Sequence, residues 1–236
     1  MRVAAVQFKA DRANPKGARA SLAGWVGRAA IGSDLVVCPE MAATGYIFSN
    51  RAAASLVAED PTGPTFQALR VHAKEHGAWV VAGFPERAGD TLYNSAMVID
   101  GRGELAFVYR KTLLFEADES WACPGDSGYV AFETPFGRFG VGICMDLNDP
   151  TFLEWSTDSE LDALAFPTNW LDEGGDVWPY WRWRASQAGT TLIAANTYGH
   201  DAPLDFVGRS AVVTAARVLA GAPNQGDVVV RATLKR

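Results

Sequence analysis

Three polar residues stand where apolar stretches of this sequence stop: Glu40 closes LVVCPE, Lys111 closes AFVYRK and Cys144 closes FGVGIC. A carboxylate, an ammonium and a thiol together suit an acyl-transfer reaction that needs no histidine. The thiol attacks a carbonyl carbon as its thiolate. The carboxylate takes the thiol proton and returns it later. The ammonium steadies the negative oxygen of the tetrahedral intermediate. Singly, each residue has an ordinary reading: a solvated loop acid, a surface lysine, an inert core cysteine. The chain offers only His72, His76 and His200 for any histidine-based scheme.

The elements that would carry these groups can be read from pattern. RVAAVQF reads as a strand, and Asn14-Pro15 opens a helix through Ala30 with Leu22, Trp25, Val26 and Ala29 at helical spacing. DLVVCPE (34–40) reads as a strand buried on both faces. Residues 61–77 read as a helix closed by Gly77, and 78–86 as a strand. Residues 92–111 form a hairpin turning at Asp100-Gly101, and 129–144 a second hairpin whose later strand delivers Cys144. A strand at 163–170, a helix at 176–189, a strand at 191–197 and β-rich segments complete the chain. The expectation is one α/β domain over residues 1–236, with a mixed sheet or two packed sheets covered by helices. In such folds, ligand sites gather at the carboxyl ends of strands, where all three residues fall.

Composition narrows the function. The 236 residues are 48% hydrophobic and 20% charged, with a net charge of −6. There is no basic run, which argues against nucleic acid or an anionic membrane as partner. No apolar stretch approaches the roughly 20 residues that span a bilayer. The start, MRVAAV, is too short for a secretory signal. Cys38, Cys123 and Cys144 lack metal-ligand spacing and are odd in number. Reduced thiols in a cytoplasmic setting are therefore expected, with no disulfide framework or zinc site, and the chemistry of a carboxylate, an ammonium and a thiol calls for no metal or organic cofactor.

The blocks AAVQF, VVCPEMAATGY, YRKTLLF and GVGICMD, together with LYNSAMVIDGRGE and GRSAVV, resemble segments of the nitrilase superfamily of carbon–nitrogen hydrolases. The resemblance runs nearly end to end and implies an α-β-β-α sandwich that forms a homodimer through its helices. It implies Glu40 as general base, Lys111 as transition-state stabiliser and Cys144 as nucleophile. The backbone N–H of Met145 would share the oxyanion with Lys111. A second glutamate after the lysine is implied at Glu119, with Glu116 as the other claimant. Asp146 would brace the nucleophile loop, Tyr46 the Glu40 loop, and Arg184 its own helix.

GICMDLN and DESWACPGD are closer to amidases that deamidate N-terminal Asn and Gln of proteins than to nitrile hydrolysers. The chain ends soon after its last β segment, so the extension with which longer members build higher assemblies is not expected. Asn169 and Trp170 in TNWL, and the loop after them, are expected to wall the pocket, with Glu173 and Asp176 at its mouth to meet a cationic substrate. The aromatics Trp121, Trp178, Trp181 and Trp183 are expected mainly in core or interface. The expected substrate is a small primary amide or a peptide N-terminus, with N-carbamoyl amines and nitriles behind it. An acyltransferase or a non-catalytic scaffold is the reading from another class, and the scaffold would be expected to have lost one of the three residues.

Overall fold

The computed structural model describes residues 1–235. Two six-stranded sheets lie face to face. The first has the order β14-β1-β2-β3-β4-β5, built from β1 (Arg2–Gln7), β2 (Leu35–Val37), β3 (Trp79–Ala88), β4 (Thr91–Ile99), β5 (Leu105–Arg110) and β14 (Val228–Thr233). The second has the order β13-β12-β9-β8-β7-β6. Its strands are β6 (Ala131–Thr134), β7 (Gly137–Val141), β8 (Ala163–Thr168), β9 (Thr191–Asn196), β12 (Ala211–Val213) and β13 (Val218–Gly221). A small hairpin, β10 (Tyr198–Asp201) and β11 (Leu204–Val207), stands apart.

Strand alternation builds the layers. Val3, Ala5, Leu35, Val37 and Val81 face Phe139, Val141, Ala163, Ala165 and Ile193 across the central core. The intervening Ala4, Val6, Val36, Cys38, Val80 and Ala82 turn outward. There they pack under α1 (Pro15–Ala30) and α3 (Pro64–His76). On the other sheet, Leu164, Phe166, Leu192 and Ala194 turn outward beneath α5 (Pro150–Asp158) and α6 (Trp178–Gln187). Both faces of the central strands are thus apolar, as their near-continuous hydrophobic sequence requires. The result is the α-β-β-α sandwich, with two further short helices, α2 (Arg51–Val57) and α4 (Glu116–Glu119), in connections.

Strand direction sets where the polar residues emerge. β1, β2 and β3 are mutually parallel, β4 reverses, and β5 reverses again. The carboxyl ends of β2 and β5 therefore leave the sheet on one edge. In the second sheet β7, β8 and β9 are parallel, and their ends lead to Cys144, Asn169 and Thr197.

The α1 and α3 boundaries follow their sequence signals, Pro at the first turn of each and Gly77 in the left-handed conformation after the second. Helices α2 and α5 and the β10–β11 hairpin go beyond the pattern reading. Helix α5 opens on an Asp149 side-chain cap to the Thr151 N–H and buries Phe152, Leu153 and Ser156. With nine residues, its stability comes from that packing rather than from local propensity.

Candidate active site

Glu40 sits just beyond β2, where Pro39 ends the strand. Its loop is tied to β3 by the Cys38 N–H to the Val81 carbonyl at 2.8 Å, the Gly83 N–H to the Pro39 carbonyl at 3.0 Å and the Ala42 N–H to the Gly83 carbonyl at 2.9 Å. The approach is so close that a Cβ on Gly83 would lie 2.5 Å from the Glu40 Cα. Glycine at this strand position is a packing requirement.

Lys111 leaves β5 with its side chain wholly buried. Its Nζ donates to Glu40 Oε1 at 2.8 Å and to Asp118 Oδ2 at 2.6 Å. Asn94 Nδ2, from β4, donates to the same two carboxylates, at 2.7 Å to Glu40 and 3.1 Å to Asp118. The Asn169 backbone N–H donates to Glu40 Oε2 at 3.0 Å, and its side-chain amide to the Glu40 carbonyl at 2.9 Å. Two buried acids thus share one buried cation. Such a cluster is tolerable only because each charge is paired and hydrogen-bonded.

Cys144 opens a 3₁₀ turn, Cys144–Asn148, with φ at +46°. A residue with a Cβ pays about 1–2 kcal/mol for that region, so the surroundings must hold it there. Asp146 does much of this, accepting the Ile143 N–H at 2.9 Å and the Tyr109 hydroxyl at 2.7 Å. It also accepts the N–H groups of Thr112 and Leu113 at 3.0 and 2.8 Å. One carboxylate therefore locks the cysteine turn to the segment leaving Lys111. Met145 is the second residue of the turn, and the first N–H groups of a helical turn have no acceptor within it.

Cys144 lines a pocket of about 460 Å³ together with Tyr46, Met145, Asn169, Trp170 and Tyr180. Phe115 and Asn148 add to the wall, and Glu173 and Asp176 lie on the loop side. The Trp170 and Tyr180 rings stand 5.4 Å apart, and Trp181 packs against Trp170 from the buried side. Asn148 accepts from the Tyr180 hydroxyl and from Arg184, and its amide reaches the Met145 sulfur at 3.3 Å.

Burial pushes the Cys144 thiol up to about 12, reinforced by the Glu40 charge and opposed by Lys111. At neutral pH it is a thiol that needs a base. Burial also raises Glu40 above the usual carboxylate range; Lys111 opposes this and Asp118 adds to it. For Lys111, burial works against the charged form, yet the Glu40 and Asp118 carboxylates outweigh it and hold the ammonium protonated. Burial raises Asp146 too, against the pull of its hydrogen-bond donors.

The structure brings Glu40 and Lys111 together and places Cys144, Met145, Tyr46, Asn169 and Trp170 around one pocket. It places Glu119 elsewhere. Both Glu119 and Glu116 are exposed, and the carboxylate paired with Lys111 is Asp118, fully buried. The reason is geometric: residues three apart share a helix face, so Glu116 and Glu119 lie together on the outer side of α4 while Asp118 turns inward. Asn94 and Asn148 were also not assigned from the sequence, although Asn94 stands in the LYNSAMV block. Asp176 pairs with Arg209 at 3.1 Å. A possible metal-ligand group, His72, Glu75 and His76 on α3, has its ligand atoms within 4.8 Å of one another and contributes nothing to the pocket wall.

Comparison with known proteins agrees with this architecture. An amidase from Nesterenkonia sp. has the same fold, with a TM-score of 0.86 and 22% identity over 98% of this chain and 89% of that one. A nitrilase from Pyrococcus abyssi is 34% identical over 188 residues, 78% of this chain and 69% of that protein. A protein N-terminal amidase from Schizosaccharomyces pombe is 37% identical over 128 residues, 50% of this chain and 44% of that protein. The family model for carbon-nitrogen hydrolases matches residues 2–236. By that match and by its sandwich fold, the chain belongs to the carbon–nitrogen hydrolase family.

Proposed function

We propose that the protein hydrolyses a primary amide through a thioester on Cys144. The observation that carries this reading is a buried thiol that lines the pocket, within electrostatic reach of a buried Glu40–Lys111–Asp118 cluster. Glu40 takes the thiol proton as sulfur bonds to the amide carbon. The oxyanion is held by Lys111 and the Met145 N–H. Collapse breaks the C–N bond, the proton passes from Glu40 to nitrogen, and ammonia leaves. Water then attacks the thioester, giving its proton to Glu40, and the C–S bond breaks as sulfur recovers that proton. Asp118 and Asn94 hold the ammonium and the base in register. No step requires a metal or an organic cofactor.

The finer substrate reading is an amide that carries an ammonium group. Among the described residues no lysine or arginine lines the pocket, and Glu173 and Asp176 do. Asp176 is engaged by Arg209, so Glu173 is the acid proposed to meet a free α-amino group, as at a peptide N-terminus with Asn or Gln. A homodimer is proposed alongside, to be read by sedimentation. A reducing, cytoplasmic setting fits the three free cysteines. No helix among the described residues is long and apolar enough to cross a membrane.

Ammonia release over a panel of primary amides, N-terminal Asn and Gln peptides, N-carbamoyl amines and nitriles tests the reading, beside Cys144→Ala. Release from an amide class that vanishes in the variant is the expected result. Glu173→Gln should raise KM for cationic amides and leave neutral ones unchanged. Equal effects on both would end the ammonium reading while sparing the amidase one.

A further inference from the structure

Cys144 lines the substrate pocket, and Glu40, whose charge acts on Cys144, also borders a second, rear cavity. Tyr46 and Asn169 line both, so these two residues form the partition. The rear cavity shares Lys9, Ala10, Tyr198 and Asp201 with an open cleft on the surface, so its far end leads to solvent. Its space for water centres is about 10 Å³, which is about one water molecule's worth.

The partition is polar and under-satisfied. Tyr46 and Asn169 are 3% and 4% exposed, and the Tyr46 hydroxyl and Asn169 Oδ1 have no hydrogen-bond partner among the described residues. Buried polar atoms of this kind are ordinarily paired with protein or water. A route for single waters between them would satisfy both.

We propose that the rear cavity is a single-water conduit that supplies the hydrolytic water to Glu40 while the acyl group fills the substrate pocket. The proposal rests on the cysteine-amidase reading above. In the acyl-enzyme the front approach to the thioester is occupied by the substrate's own acyl chain. Water arriving from behind meets the base first. Its oxygen bonds to the thioester carbon, its proton passes to Glu40, the C–S bond breaks and sulfur takes the proton back. The aperture admits water and excludes amines larger than it, so the geometry favours hydrolysis over acyl transfer.

Ala10 lines both the rear cavity and the surface cleft and takes no part in the catalytic cluster, so Ala10→Phe is the plug to make. Tyr198→Trp provides a second plug from a different element. The measurement is the pre-steady-state ammonia burst, which reads acylation, followed by intact-protein mass during turnover. The expected result is an unchanged burst, roughly tenfold slower turnover, and accumulation of the acyl-enzyme in both variants. Two plugs that deacylate at the parent rate would overturn the conduit and leave the burst, and with it the amidase reading, intact. Acylation and deacylation slowing together would likewise overturn it, as a general structural effect. A parent chain whose ammonia release does not depend on Cys144, with no acyl-enzyme formed, would overturn both readings at once.

Discussion

A thiol that burial has pushed up to about 12 gains little from its own ionisation near neutrality. Its reactivity must follow the base that takes its proton. Because burial raises Glu40, lowering the pH protonates Glu40 first and removes the acceptor. Alkylation of Cys144 by iodoacetamide and kcat/KM should therefore fall together on the acid side, with a midpoint above the ordinary glutamate value of about 4.3. Both should level off above that midpoint, and a rate that climbs steadily toward the thiol's own titration would contradict the assignment. Replacing Asp118 by Asn should lower kcat by roughly 10²-fold or more, because the Lys111 ammonium loses one of its two anionic partners. Glu119→Gln should leave kcat within about twofold, since exposed surface changes rarely propagate. Steady-state kinetics on the pair reads this contrast directly. The sequence places three acids within four positions, EADE, and periodicity alone does not say which turns inward. In a four-residue helix that choice is made by tertiary packing around Lys111, which turns Asp118 inward and leaves the Glu119 implied by the resemblance exposed.

The elements act as rails for these side chains. The Glu40 loop hangs on β3 at Gly83, where an added methyl would meet the Pro39 carbonyl and the Met41 nitrogen as well as the Glu40 Cα. Gly83→Ala should cost about 1–3 kcal/mol of stability as overpacking and lower kcat as Glu40 shifts. Gly77, at +64° after α3 with open space around it, provides the control. Gly77→Ala should cost about 1 kcal/mol and leave kcat unchanged. Thermal melts paired with kcat separate the two. Much of this scaffold was legible beforehand, because strands such as LVV and the ALAFP of β8 are apolar throughout and helices α1 and α3 carry start signals. Helix α5 was missed despite its Asp149-Pro150 start, since its apolar residues do not extend the pattern beyond nine residues. The β10–β11 hairpin has strands of only four residues each, YGHD and LDFV, too short for an alternation to be read.

At the scale of the molecule, the two sheets divide the work. The first supplies Glu40 and Lys111 and the second Cys144 and Asn169, so the site exists only when the sheets pack and their parallel strands end on one edge. The buried charges tie activity to that packing. Lys111→Met would leave Glu40 and Asp118 facing each other without their cation, which should cost about 3–5 kcal/mol. Urea denaturation would read this loss alongside the loss of turnover. The resemblance of whole sequence blocks made the sandwich legible, whereas strand counting left one mixed sheet and two packed sheets equally open. The resemblance and the TNWL segment already pointed to Tyr46, Cys144, Met145, Asn169 and Trp170 as pocket neighbours, whereas the parts played by Phe115 and Asn148 depend on how loops from both sheets meet.

The most direct test of the central claim is the mass of the intact protein, quenched in acid while it turns over a primary amide. The account predicts a fraction heavier by the substrate's acyl group, with the addition mapped to the peptide that contains Cys144 and absent from Cys144→Ala. Ammonia release that persists in Cys144→Ala, with no acyl adduct on Cys144 in the parent, would contradict it.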